Sequence, residues 1–193
     1  MQKIMFNDRY GLTDAVIEGR KTVTRRIISG IDFPVNMVMG RVLPDQDGKI
    51  YAVANGENII VKLRYKVGDV VAVAQCYNDV VREFTDLAFV PGSTNKMFVR
   101  ADLMPHQIRI IGIRCERLRD ISDEDCMKEG VVAMADFKTR GCSRKLFALP
   151  RCEYAQIFNT PRQAFAALID KVSGRGTWDR NPWVVAYKFE LVK

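Results

Sequence analysis

Apolar positions along this chain recur with two different periods, and the switches between them predict its elements. Leu12, Ala15 and Val16 share one side of a helix, with Asp8 or Thr13 available as a cap and Gly19 placed to end it. Ahead of that helix, residues 4–6 read as a short strand. Residues 30–58 hold Gly30, Pro34, Gly40, Pro44, the run Asp45-Gln46-Asp47-Gly48 and Asn55-Gly56. Such punctuation predicts loops and a hairpin around a strand-like stretch at 49–53. A strand is expected at 59–63, and Val67-Gly68-Asp69 reads as a turn feeding a buried strand that runs to Ala74. Residues 78–95 are polar and turn-rich around Pro91-Gly92, which predicts an excursion, followed by strands at 96–100 and 108–115.

Two helices announce themselves by their caps. Ser122-Asp123-Glu124-Asp125 places a hydroxyl where it can accept from an orphan amide and puts acids at the positive helix end, and Gly130 closes the segment. Thr160-Pro161-Arg162-Gln163 repeats the box with proline at the first helical position. Ala164, Phe165, Leu168, Ile169 and Val172 then form an apolar face that Gly174 and Gly176 end. The chain finishes with Trp183, Val185, Tyr187, Phe189 and Leu191 alternating with more polar residues, a strand pattern. Five or six strands with few, short helices and non-local pairings predict an α+β fold. Its expected form is a small twisted β-barrel whose open ends are covered by helices, rather than a doubly wound parallel sheet.

Composition narrows the partners. At 193 residues, 48% hydrophobic and 27% charged, the chain suits one core and one domain. Lys and Arg number 30 against 23 Asp and Glu, a net charge of +7. That balance favours an anionic partner, with nucleic acid or nucleotide ahead of membrane because no basic amphipathic helix with a broad apolar face is seen. The beginning lacks a signal-peptide core and no apolar run reaches spanning length, so a cytoplasmic location and no membrane partner are expected. The five cysteines, Cys76, Cys115, Cys126, Cys142 and Cys152, include no Cys-x-x-Cys pair, so reduced, mostly buried thiols are expected and no metal site. The single histidine, His106, follows Pro105 and is expected at a surface or strand edge, without an orienting partner. Dinucleotide, phosphate-loop, zinc-protease and hydrolase-elbow signatures are missing, and no cofactor is implied.

The stretch richest in chemistry is Gly19-Arg20-Lys21-Thr22-Val23-Thr24-Arg25-Arg26, four cations and two hydroxyls directly after the first helix. Lys21 and Thr24 have the types of a base and a nucleophile, and Arg20, Arg25 and Arg26 suit phosphate contact or tuning of Lys21. The alternative is a solvated basic run, with Thr22 and Thr24 serving as β-formers. A second basic stretch, Lys138, Arg140, Arg144, Lys145 and Arg151, reads as a solvated loop or a phosphate-touching arm. Trp178 and Trp183 are candidates for base stacking, Trp183 being in register with a core face.

Several pieces together resemble the ASCH domain of bacterial and phage proteins. They are the octet after a short helix, Lys66-Val67-Gly68-Asp69-Val70, Leu118-Arg119-Asp120-Ile121-Ser122 leading to Lys128-Glu129-Gly130, and Trp178-Asp179-Arg180-Asn181-Pro182-Trp183 before the last strand. The resemblance implies a PUA-like β-barrel over residues 1–193 with a cleft for RNA or nucleotides, and insertions at about 30–64, 78–95 and 131–160. One ASCH branch is similar to small amidohydrolases that deacylate N4-acetylcytidine, and by its motifs the catalytic set here is Lys21, Thr24 and Glu129. RNA or nucleotide contacts then fall to Arg20, Thr22, Arg25, Arg26 and Trp178. Where related sequences place Val-Arg-Glu-Thr-Trp, this chain has Val73-Ala74-Gln75-Cys76-Tyr77, replacing a charged group with an amide.

Three functions follow as expectations. The first is an RNA- or nucleotide-binding module with a basic cleft, the second an amidohydrolase of an acylated nucleoside, and the third a metal-independent ribonuclease. For the hydrolase, Thr24 attacks only if Lys21 is neutral, which requires burial or the neighbouring arginines to lower its pKa by several units. Glu129 would hold a proton for the leaving nitrogen or orient the lysine, yet as an anion it opposes the neutral lysine.

Overall fold

Most of the apolar alternation is concentrated in one sheet. The computed structural model describes residues 1–29, 43–44, 49–54, 57–82, 95–134, 137–139, 142–149, 151 and 156–192. In chain order the strands of the main sheet are β1 (Lys3–Ile4), β2 (Val23–Ile27), β6 (Val70–Val73), β7 (Gln107–Arg117) and β13 (Trp183–Leu191). Between β2 and β6 lie β3 (Leu43–Pro44), β4 (Lys49–Ala54) and β5 (Glu57–Lys62), and between β7 and β13 lie β8 (Val132–Ala133), β9 (Phe137–Thr139), β10 (Cys142–Arg144), β11 (Phe147–Ala148) and β12 (Ile157–Phe158). The helices are α1 (Leu12–Ile17), α2 (Tyr77–Arg82), α3 (Asp123–Lys128), α4 (Pro161–Ser173) and α5 (Thr177–Arg180).

The main sheet has the order β1-β6-β7-β13-β2, with β1 parallel to β6 and the other pairs antiparallel. The fold is therefore α+β, as the pattern predicts. Among the described residues no pairing joins β1 to β2, so the sheet stands open and β2 is an edge strand. A separate three-stranded sheet is formed by β3, β4 and β5, in which β4 and β5 pair antiparallel from Lys49↔Lys62 to Ala54↔Glu57; the predicted Asn55-Gly56 turn lies outside the described residues. Smaller sheets are formed by β8, β11 and β12 and by the β9–β10 hairpin.

Both predicted caps form. The Ser122 hydroxyl accepts from the Asp125 amide at 3.1 Å, and Thr160 accepts from Gln163 at 3.1 Å. Helix α4 then buries Ala164, Phe165, Leu168 and Ile169 in the core that also holds Ile4, Leu12, Val16, Ile108, Ile110 and β13 side chains. Burying each large side chain stabilises by about 1.5–3 kcal/mol. Trp183 belongs to this core, with the Arg117 guanidinium 4.6 Å from its ring centroid.

Three expectations need correction. Residues 96–100 are not a strand: the Lys3 ammonium takes the carbonyls of Lys96, Met97 and Val99, so those acceptors serve a side chain instead of a ladder. The excursion at 78–95 begins as helix α2, where Asp79 accepts from the Cys76 amide at 3.3 Å and supplies the helix start. Residues 83–94, with Pro91-Gly92, lie outside the described residues, as do most of the loops at 30–48. His106 has an orienting partner after all, since its Nδ1 lies 2.9 Å from Gln75 Oε1.

Candidate functional site

The octet docks onto the C-terminal end of α3. Gly19 ends α1 at φ +72°, which turns the chain toward that helix. The Thr22 amide then donates to the Lys128 carbonyl at 3.0 Å, and the Lys21 ammonium donates to the Glu129 carbonyl at 2.9 Å. Acceptors left open at a helix end are thereby satisfied, and a cation sits at the negative pole. Gly130 makes the approach possible. It has φ +105°, and a Cβ there would stand 3.1 Å from Leu12 Cδ2 and 3.8 Å from Lys21 Cδ.

Lys21 is only 2% exposed, and its remaining protons go to Glu129 Oε2 at 2.5 Å and to the Val23 carbonyl at 2.8 Å. That carbonyl belongs to edge strand β2, so the ammonium also covers part of an open edge. Burial pushes the Lys21 pKa below its ordinary value, with Glu129 opposing the shift. The neutral lysine demanded by the hydrolase chemistry is thus brought nearer by desolvation, against the carboxylate's pull.

Glu129 is held from its other side by Arg25. The Arg25 side chain is 1% exposed and donates through Nη1 to Glu129 Oε1 at 3.0 Å, through Nη2 to Asp125 Oδ2 at 3.0 Å and through Nε to Glu116 Oε1 at 2.8 Å. Arg114 closes the network by donating through Nε to Glu116 Oε2 at 2.9 Å and through Nη2 to Asp125. Burial pushes the Asp125 carboxyl up, but the hydrogen bonds from Arg114 and Arg25 outweigh it and hold the group below the usual carboxylate range. An acid at the C-terminal end of a helix, unfavourable on its own, is here compensated by two cations. The arginine that the octet suggests for phosphate contact is instead the centre of a buried ionic hub.

A cavity of about 260 Å³ opens beside this hub. Lys21, Thr24, Arg25, Arg26 and Glu129 form its polar side, and Phe6, Leu12, Phe165, Leu168, Ile169 and Val172 its apolar side. Thr24 is 5% exposed, and its hydroxyl makes no hydrogen bond to any described residue. Arg26 is the exposed cation of the cavity, donating to the Met5 carbonyl at 2.6 Å with its guanidinium 5.9 Å from the Phe6 ring centroid.

The structure therefore gathers Lys21, Thr24, Glu129, Arg25 and Arg26 around one space, but not the other candidates. Arg20 is exposed and paired with Glu18 at 2.6 Å, and Thr22 serves through its backbone, accepting from Phe189 as well as capping α3. Trp178 does not line the cavity. It packs edge-on to Phe165 at 6.2 Å, with the Arg119 and Arg162 guanidinium carbons 5.8 and 6.0 Å from its ring centroid. In the second basic stretch Arg151 pairs with Asp14 at 2.7 Å, and the side chains of Lys138, Arg140 and Arg144 lie outside the described residues.

Residues missed by sequence reading are the hub acids Glu116 and Asp125, Arg114, and the aromatic and aliphatic cavity wall. For Asp125 the only available signal is its place in the cap, which explains it without a site. Cys76, Cys115 and Cys126 are free thiols, and burial pushes Cys115 and Cys126 up to about 12. Among the described residues there is no cluster able to hold a metal ion and no helix long and apolar enough to cross a membrane. No family model, curated protein or solved structure matches the chain.

Proposed function

We propose that this protein is an ASCH-type, PUA-like protein that binds a nucleoside or nucleotide, free or within RNA, in the Lys21–Glu129 cavity. The observation that carries the proposal is the cavity's divided lining: an apolar wall suited to a base faces a floor of amine, hydroxyl, guanidinium and carboxylate. Its volume falls below the roughly 300–1,000 Å³ of sites for drug-sized ligands, which suits one nucleoside rather than an oligonucleotide. Arg26 is the residue placed to meet a phosphate at the opening. On this reading the open five-stranded sheet and its flanking helices are the described part of a PUA-like barrel.

Equilibrium titration with cytidine, N4-acetylcytidine and cytidine monophosphate tests the assignment. Saturable binding is expected, with the monophosphate alone weakened by added salt and by Arg26→Ala. Absence of saturable binding by all three ligands would refute it.

A second reading, amide hydrolysis of an N4-acylated cytidine, is favoured by the 2.5 Å contact between Lys21 and Glu129 in the cavity that also holds Thr24. A proton passing from Lys21 to Glu129 Oε2 leaves an amine able to take the Thr24 hydroxyl proton as Oγ1 attacks the acyl carbon. The C–N bond then breaks, the departing nitrogen takes the proton held by Glu129, and water later releases the acyl group as carboxylate. The missing Thr24 hydrogen bond does not oppose this, because such contacts tighten on substrate binding. Carboxylate release from N4-acetylcytidine is expected in the wild type and lost in Thr24→Ala; release that survives Lys21→Ala, Thr24→Ala and Glu129→Ala alike would exclude the triad.

A further inference from the structure

A second cavity, of about 220 Å³, lies between α3 and the main sheet, bounded by Val23, Gly112, Arg114, Asp125, Lys128 and Lys188 together with Ile113 and Ala186. Register explains its shape. Lys188 stands opposite both Val23 and Gly112, and Ala186 opposite both Arg25 and Arg114, so these side chains share one face of the sheet. Two small residues, Gly112 and Ala186, leave space among long ones. A Cβ on Gly112 would meet only Lys188 Cβ, at 3.6 Å, so the glycine is not required by crowding. Glycine within a strand weakens it and marks a place where something approaches the backbone. Next to it the β7–β13 register slips between Lys188 and Phe189, leaving Ile111 without a partner, a bulge of the kind that re-aims side chains beside a site.

Charge identifies the ligand class. Three cations, Arg114, Lys128 and Lys188, face one carboxylate, Asp125, and that carboxylate is already engaged by Arg25 and Arg114. Lys128 has Glu124 at 2.5 Å, whereas Lys188 is exposed and has no ion-pair partner among the described residues. Arg114 uses Nε and Nη2 on Glu116 and Asp125, so Nη1 remains for a ligand oxygen. We propose that this cavity is a phosphoryl-binding site, separate from the Lys21 cavity and independent of what that cavity binds. A guanidinium edge with two ammonium groups around a pocket floored by a glycine matches a compact, multiply charged oxyanion.

The test uses the full chain at low salt with two probes, inorganic pyrophosphate for a free phosphorylated ligand and hexauridylate for backbone phosphates. Calorimetric titration is expected to show saturable binding of at least one, and the probe that binds names the source of the phosphoryl group. Lys188→Ala, which removes an exposed side chain, and Gly112→Val, which fills the floor with a strand-compatible residue, should each weaken binding roughly tenfold, the scale of one charge-assisted hydrogen bond. Gly112→Ala adds one methyl group with room to spare and serves as the fold control. Cytidine titration of the same variants should match the wild type, so failure here is distinguishable from failure of the Lys21 cavity. Binding of neither probe, or binding unchanged in both Lys188→Ala and Gly112→Val, overturns the assignment.

Discussion

Replacing Arg25 by methionine keeps a long apolar stem and removes the charge at the centre of the hub. In the protein that charge is shared by Glu116, Asp125 and Glu129, with nitrogen–oxygen distances of 2.6 to 3.0 Å and the guanidinium side chain 1% exposed. Each acid keeps at least one other cation after the change, Lys21 for Glu129, Arg114 for Glu116, and Arg114 with Lys128 for Asp125. The loss is therefore that of breaking a buried pair, about 3–5 kcal/mol, rather than of stranding three bare carboxylates. Against a total stability of roughly 5–15 kcal/mol this is a large fraction. At about 2–4 °C per kcal/mol for a chain of this size, thermal unfolding followed by circular dichroism should show a Tm lowered by roughly 6–20 °C at pH 7. Arg25→Lys should fall between, since one ammonium cannot reach three acids in the guanidinium's fork geometry.

The deficit should also depend on pH. In the wild type Asp125 has a depressed pKa, so its contribution is complete above the unfolded value of about 3.9 and is lost as pH falls through the lower folded value. Arg25→Met removes part of that depression. The gap between wild type and variant should accordingly begin to narrow as pH falls below about 3.9, by the part of the Asp125 depression that Arg25 supplies. A Tm within about 2 °C of wild type at pH 7, a span worth no more than about 1 kcal/mol, would refute the hub as a buried ionic network.

Gly130→Ala, which forces a side chain to φ +105° with a Cβ 3.1 Å from Leu12, should cost about 1–3 kcal/mol in urea denaturation and weaken cytidine binding by displacing the neighbouring Glu129. Phe165→Ala, at a position buried in the core and lining the cavity, should cost about 3–5 kcal/mol by the same assay. If the hydrolase reading holds, kcat/KM for N4-acetylcytidine should fall as pH rises through an ionisation below the ordinary lysine value of about 10.4, because burial lowers Lys21 and losing the one proton it shares with Glu129 leaves no acid for the departing nitrogen. A rate that is unchanged or still rising at about pH 10.4 would contradict that assignment.

What sequence could convey here depended on the range of the interaction. Local grammar was readable: Ser122 and Thr160 cap α3 and α4 as their spacing says, and the alternation from Trp183 onward is strand β13. The core face of α4 follows from its period, apart from Val172, which ends 37% exposed at the cavity. Closure into a barrel was not readable in this way and is not seen among the described residues, because pairing of edge strands depends on contacts far apart in sequence. At the site, Lys21 and Glu129 are 108 positions apart and were linked by motif resemblance rather than by physics. Arg25 shows the limit most clearly. Its neighbours in sequence are cations, which suggests an anion-binding surface, but its neighbours in space are carboxylates from β7, α3 and the residue after α3. Only the fold supplies those partners.

The central claim, that the Lys21–Glu129 cavity takes a nucleoside, is tested most directly by calorimetric titration of N4-acetylcytidine into wild type and Val172→Trp, with cytidine as a second titrant should acetate be released. Val172 lines the apolar wall yet is partly exposed, so an indole there occupies the space without entering the core. Saturable one-to-one binding in the wild type, abolished by the tryptophan in a variant of unchanged Tm, is the predicted result; no saturable binding of either titrant, or equal affinity in the two proteins, would contradict it.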